Sequence, residues 1–204
     1  MKNYLDTNIA SVYAALPPGG LIQQTQWTLT RLLWDTAKRR GIRLVTSSFA
    51  KDELRLGDPG AARRRLNALR SITVIEETEP MRRAARLLMQ AFNPRMATVL
   101  APDIRHYAAA CAVHADTLVT WNIRHFDVID ASVSDDRAED RRPRIVTPAE
   151  LAFDIGAAVL PNPDTGVDLL DRINRPTPWL QKFIDEETRA GQALCAEEAR
   201  HGKK

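Results

Sequence analysis

Short apolar runs alternate with longer stretches of helical periodicity along about the first 150 residues of the chain. This alternation is typical of a parallel sheet covered by helices. We therefore predict an α/β fold with three layers, helices on both faces of a small parallel sheet of about five strands. The predicted strands are residues 2–5, 43–46, 72–75, 117–120 and 144–146.

Capping residues mark where several helices begin. Gly41 is placed to end a helix over 23–40, and Ser47 or Ser48 is placed to begin a short helix that carries Glu53. Proline at the first helical position marks further starts. These starts are Asp58-Pro59, Pro102-Asp103 and the capping box Thr147-Pro148-Ala149-Glu150, and Thr78 is placed to begin another helix that ends near Phe92.

The pattern changes after about residue 152. Residues 132–142 already form one polar stretch that predicts a surface loop, and Pro161, Pro163 and Gly166 mark a linker. A long charge-balanced helical stretch runs from Pro176 to about Arg200. We predict a domain over 1–152 and a linker with a helical C-terminal extension over 153–204.

Three acids fall near the carboxyl ends of the predicted strands, where open parallel sheets bind ligands. Asp6 ends the first strand, Glu53 lies on the helix after the second, and Asp103 opens the helix that leads to the fourth. Each alone has a local explanation as a cap or a solvated helix acid. Together they repel one another unless a cation neutralises them, and their oxygen ligands suit Mg²⁺ or Mn²⁺. Such an ion supports phosphodiester hydrolysis.

Five segments in order resemble the PIN-domain family, most closely its bacterial VapC-like toxin ribonucleases. They are 4–8 (YLDTN), 53–58 (ELRLGD), 103–112 (DIRHYAAACA), 117–126 (TLVTWNIRHF) and 147–151 (TPAEL). The resemblance covers about residues 1–152. It implies a PIN-like fold, metal-dependent endoribonuclease activity with Mg²⁺ or Mn²⁺, and a toxin paired with a small antitoxin protein. A homodimer is expected only by analogy with this family.

The resemblance also assigns roles to residues. Asp6, Glu53 and Asp103 match the metal-binding acids. The supporting residues are Thr7 or Asn8 beside Asp6, together with Thr120 and His125. Many members have a fourth acid where this chain has Asn122, which we include among the catalytic residues. Because Asn122 brings no charge, the resemblance leaves open whether the site binds one metal ion or two.

Basic residues concentrate in one part of the chain. The net charge is +3, yet fourteen Lys and Arg lie between Arg31 and Arg86 against seven acids. This excess indicates contact with RNA phosphates or merely solvated helix faces. Arg63, Arg64 and Trp121 are the candidate RNA contacts. His106 and Tyr107 share a helix face with Asp103, and a role toward substrate or in the core stays open for both.

Composition and motifs exclude several other classes of protein. Two cysteines are too few for a disulfide framework, and no window approaches the length of about 18 apolar residues that spans a membrane, so we expect a cytoplasmic protein without a membrane segment. Asn8 replaces the second aspartate of haloacid dehalogenase-type phosphohydrolases, and the glycine-rich turn of a dinucleotide site is absent. The rival that remains is a PIN-like module that binds RNA or a partner without cutting.

Overall fold

The computed structural model describes residues 1–133 and 142–156, which form five strands and eight helices. The strands are β1 (Lys2–Leu5), β2 (Arg43–Ser47), β3 (Thr73–Ile75), β4 (Thr117–Val119) and β5 (Arg144–Val146). The helices are α1 (Thr7–Ala14), α2 (Leu21–Arg40), α3 (Ser48–Leu54), α4 (Pro59–Leu69), α5 (Glu79–Met89), α6 (Pro94–Ala112), α7 (Ile123–Ala131) and α8 (Pro148–Asp154).

All five strands lie in one parallel sheet in the order β3-β2-β1-β4-β5. Strand β1 is central: its Tyr4 is in register with Val45 of β2 and Leu118 of β4. Because parallel strands end on the same edge, the residues that follow β1, β2 and β4 lie side by side. The predicted parallel α/β sheet of about five strands is confirmed.

Helices cover both faces of this sheet. Successive residues of a strand point to opposite faces, and Leu5 and Val119 belong to one apolar cluster while Tyr4 and Leu118 belong to another. The first cluster contains residues from α1, α2, α3, α4 and α8, and the second contains residues from α5, α6 and α7. Both faces are therefore buried, which explains why the strands carry apolar residues with little alternation.

Local capping chemistry sets several helix starts as predicted. Ser47 Oγ accepts a hydrogen bond from the Ala50 amide, and Asp58 Oδ1 accepts one from the Ala61 amide. Thr147 and Glu150 form the reciprocal capping box at the start of α8. Gly41, with φ of +65°, ends α2 in the left-handed conformation that glycine adopts without strain.

Helix α6 begins earlier than the sequence predicts. Asn93 caps it through a bond from the Met96 amide to its Oδ1, and Pro94 takes the first helical position. The predicted start at Pro102-Asp103 is therefore wrong, since Pro102 lies inside the helix and Asp103 lies in its middle. Pro94 also suits the first helical position, and Asn93 before it supplies the capping side chain that Ala101, before Pro102, lacks.

Helices α1 and α7 are additional to the prediction. Both are short, and each begins directly after a polar residue that follows a strand, Asp6 for α1 and Asn122 for α7. None of the described helices has the length and apolar character needed to cross a membrane. The predicted linker and helical extension after residue 156, and most of the predicted loop over 132–142, lie outside the described residues.

Candidate active site at the carboxyl edge of the sheet

Asp6 lies directly after the central strand and is almost fully buried, with 4% of its surface exposed. Its Oδ2 accepts hydrogen bonds from Asn8 Nδ2 at 2.5 Å and from Thr120 Oγ1 at 2.7 Å. Burial raises the pKa of Asp6, and the charge of Asp103 raises it further against the opposing effect of His106. A negative charge at Asp6 is therefore costly unless a cation compensates it.

Glu53 reaches the same edge from α3. Its Oε2 accepts hydrogen bonds from Thr7 Oγ1 and from His106 Nε2, the latter at 2.9 Å. Burial alone would raise the pKa of Glu53, but the hydrogen bond and charge of His106 and the Thr7 hydroxyl outweigh burial and lower it. Glu53 is thus held as a carboxylate that faces the site.

His106 lies between these two carboxylates and is 1% exposed. Its Nε2 is 2.9 Å from Glu53 Oε2 and 3.6 Å from Asp6 Oδ1. Burial acts to lower the pKa of His106, but the hydrogen bond to Glu53 and the charges of Asp6, Glu53 and Asp103 raise it overall. The raised pKa of His106 favours its imidazolium form between the two acids.

The other nitrogen of His106 continues the network into the core. Nδ1 is 2.9 Å from the hydroxyl of Tyr4, which donates to Ser47 Oγ at 2.9 Å. With the Tyr4 proton directed to Ser47, Nδ1 of His106 donates to Tyr4. Burial raises the pKa of Tyr4, so it stays a neutral phenol. Both ring nitrogens are thus donors, which agrees with a charged His106.

Asp103 forms the second half of the site with Asn122 and His125. Asp103 Oδ2 is 2.6 Å from His125 Nδ1 and accepts from Asn122 Nδ2 at 3.3 Å. The backbone amide of Asn122 donates to Thr120 Oγ1 at 2.8 Å, and that hydroxyl donates to Asp6. Thr120 is fully buried and joins the two halves. Asn122 therefore occupies the edge beside Asp103, as its place after the fourth strand predicts.

The oxygen ligands at this edge suit a hard divalent cation, but they are not arranged as a preformed metal site. Asp6, Glu53 and Asp103 offer carboxylate oxygens, and Asn122 offers an amide oxygen, as Mg²⁺ prefers. Yet among residues 1–133 and 142–156, no three His, Cys, Asp or Glu side chains form a group able to hold a metal ion. The imidazole of His106 lies between Asp6 and Glu53 instead.

The predicted supporting residues Thr7 and Asn8 bind different carboxylates. Asn8 holds Asp6 and accepts from the Trp121 amide at 3.2 Å, whereas Thr7 bonds Glu53. Trp121 is 8% exposed, and its indole N–H donates to Thr30 of α2 at 2.9 Å. This burial disfavours Trp121 as an RNA contact, because its indole packs in the core with residues of α2.

The sequence left two roles open for His106, one toward the substrate and one in the core. Its spacing of three residues from Asp103 places both on one face of α6, which was the available signal. The spacing does not predict whether His106 contacts the carboxylates at the sheet edge or only the core. Its actual partners, Glu53 and Tyr4, are distant from it in sequence. Arg63 and Arg64 are exposed on α4.

No protein-family model, curated protein or solved structure matches this chain.

Proposed function

We propose that the chain is a metal-dependent endoribonuclease of the PIN-domain type, with Mg²⁺ or Mn²⁺ bound at the carboxyl edge of the sheet. One observation carries the proposal: three acids distant in sequence are electrostatically coupled at this edge, since Asp103 and Glu53 both raise the pKa of the buried Asp6. Asp6 and Glu53 both have perturbed pKa values, and perturbed acids at such an edge are more typical of functional sites than of structural ones.

Asp6, Glu53 and Asp103 would hold the ion, with Asn122 beside Asp103. When bound, the ion supplies a Lewis acid that neutralises the carboxylates and polarises the phosphodiester. Thr120 and Asn8 fix the orientation of the Asp6 carboxylate by donating to one of its oxygens. To hold the ion, Glu53 would have to give up its contact with His106, because His106 lies between Glu53 and Asp6.

The rival function is an RNA- or partner-binding module of the same fold that does not cut. Two observations favour it: Asn122 stands where a fourth acid is expected, and His106 supplies charge between Asp6 and Glu53 without any ion. The two functions differ in their cation requirement. A binding module retains its ligand in chelator, whereas a nuclease loses cleavage there.

A cleavage assay separates these functions. Purified wild type is incubated with a structured RNA and Mg²⁺ or Mn²⁺, beside Asp6→Asn, Asp103→Asn and the control Asp52→Asn. Asp52 is exposed and adjacent to Glu53 on α3, so its substitution changes the net charge equally. We expect wild type and Asp52→Asn to cleave and both site variants to lose at least about a hundredfold in rate.

Two outcomes would overturn the nuclease. Equal cleavage by all four proteins indicates a contaminating enzyme, and RNA binding without cleavage by any of them selects the binding module. If wild type still cleaves RNA in the presence of chelator, cleavage does not require a divalent metal ion.

A toxin role, with a small antitoxin as partner and a homodimer in the cytoplasm, belongs to the same proposal and rests on the family resemblance. It predicts that induced expression of the chain arrests growth and that Asp6→Asn relieves the arrest. Normal growth with active, soluble wild-type protein would reject it.

A further inference from the structure

Helix α4 separates two surface grooves that are both lined by cations. The first, of about 470 Å³, is lined by Arg55, Arg63 and Arg70 among others. The second, of about 730 Å³, is lined by Arg31, Lys38 and Arg64. Asn67 of α4 lines both. No Asp or Glu is among the described residues that line either groove. We call these six cations the α4 basic surface.

Four acids from the same stretch of chain are held in ion pairs or in a helix cap. Both carboxylate oxygens of Glu77 accept hydrogen bonds from Arg105, and Glu79 forms ion pairs with Arg82 and Arg86 on α5. Asp58 caps the first turn of α4. Asp52 pairs with Arg55 at the margin of the first groove. Six of the fourteen Lys and Arg between residues 31 and 86 thus line the two grooves, with Asp52 and Asp58 beside the first of them.

The α4 basic surface adjoins the elements that carry the candidate active site. Arg55 follows α3 directly and is two residues from Glu53. Helix α1 begins at Thr7, which bonds Glu53, packs against α4, and ends at Ala14, which lines the second groove. A polymer held along α4 would therefore lie against the helices α1 and α3 that carry Thr7 and Glu53, which favours the substrate over an unrelated ligand.

Planar groups in the second groove add a feature suited to nucleic acid. The guanidinium carbon of Arg31 is 5.3 Å from the centroid of the Tyr13 ring and 4.9 Å from that of Trp27. This arrangement holds Arg31 as a flat, ordered cation beside two half-buried rings. Flat cations and aromatic rings stack on bases, while the other cations attract phosphates.

We propose that the α4 basic surface binds the backbone of single-stranded RNA that flanks the bond to be cut. The proposal rests on the nuclease function for its substrate, but it is tested by binding alone. An acidic protein segment is the competing occupant. The nearness of Arg55 to Glu53 along the chain and the position of Arg31 beside two aromatic rings favour RNA.

The test measures binding of a fluorescently labelled single-stranded RNA by anisotropy between 50 and 200 mM salt, in chelator, with the full chain carrying Asp6→Asn. Arg63→Gln with Arg64→Gln is compared with Arg43→Gln and Arg83→Gln. Both pairs are exposed and remove the same charge, but Arg43 and Arg83 do not line the grooves. A second groove pair, Lys38→Gln with Arg70→Gln, guards against a folding defect in the first.

Both groove pairs should weaken binding about tenfold or more and make the slope of log affinity against log salt shallower by about 1.4, because each lost phosphate contact removes about 0.7. The control pair should change affinity less than about twofold. Equal losses in groove and control pairs overturn the proposal, as does unchanged RNA binding with lost binding of polyglutamate. Intact groove-dependent binding without any cleavage by the unsubstituted chain would reject the nuclease and leave the RNA surface standing.

Discussion

The hydroxyl of Thr120 joins the two halves of the site. It donates to Asp6 and accepts from the side chain of Asn8 and the backbone of Asn122. Because Thr120 is fully buried, its partners have no water to replace it. Its role follows from the parallel pairing of β1 with β4, which sets Asp6 beside it.

Thr120→Val keeps the shape of the side chain and removes these hydrogen bonds. We expect the free energy of unfolding to fall by about 1–3 kcal/mol, as for other buried polar groups left unpaired, and cleavage to fall with it. Urea denaturation measures the first and the RNA assay the second. Thr98→Val, on the exposed side of α6, is the control and should change stability by less than about 0.5 kcal/mol. Equal stability of Thr120→Val and wild type would contradict this role.

Asp6→Asn should stabilise the protein in the absence of divalent cations. The folded state raises the pKa of Asp6 above its ordinary value of 3.8, so the stability that Asp6 contributes is present at acid pH and lost as pH rises through the raised pKa. At pH 7.5 in chelator the variant should therefore unfold at a higher urea concentration than wild type. The difference should shrink below pH 3.8. A variant less stable than wild type at pH 7.5 would show that Asp6 is not under charge strain.

Caps and strands are the elements that local sequence predicts well. Strands β1 and β5 and the capping box at Thr147 lie where the sequence places them. Helices α1 and α7 escape prediction because the polar residues before them, Asp6 and Asn122, serve the site and accept no capping hydrogen bond on their side chains. The start of α6 depends on which of two prolines has a capping residue, and the sequence before Pro102 offers none.

Thr147→Ala tests whether the capping box stabilises the whole fold through α8. Helix α8 packs against α2, so fraying at its first turn loosens that contact. We expect a loss of about 1 kcal/mol in the free energy of unfolding by urea denaturation. Thr28→Ala, exposed on α2, should change it by less than about 0.5 kcal/mol. Equal effects of the two substitutions would show that the cap contributes nothing specific.

The order of the strands determines which residues meet at the site. Strand β1 lies between β2 and β4, so Asp6, α3 and Thr120 converge although they are distant in sequence. The pattern of elements predicts a parallel sheet and hence a shared carboxyl edge, which brings Asp6, Glu53 and Asp103 into consideration. It does not predict the order, and therefore not that His106 lies between Asp6 and Glu53.

Leu118→Ala tests the core beneath this edge. Leu118 is fully buried on β4 next to the central strand. Its truncation should cost about 2–5 kcal/mol, through lost burial and the cavity left behind. Leu87→Ala, 57% exposed on α5, is the matched control and should cost less than about 0.5 kcal/mol. Similar midpoints of urea denaturation for the two variants would contradict the described core.

Binding of Mn²⁺ tests the central claim most directly, because it needs neither RNA nor turnover. The free ion is followed by electron paramagnetic resonance as it is titrated into wild type, Asp6→Asn, Asp103→Asn and the control Asp52→Asn. The site predicts saturable binding by wild type and Asp52→Asn, weakened at least about tenfold in each site variant. Equal binding by all four proteins, or none by wild type, would contradict a metal site formed by these acids.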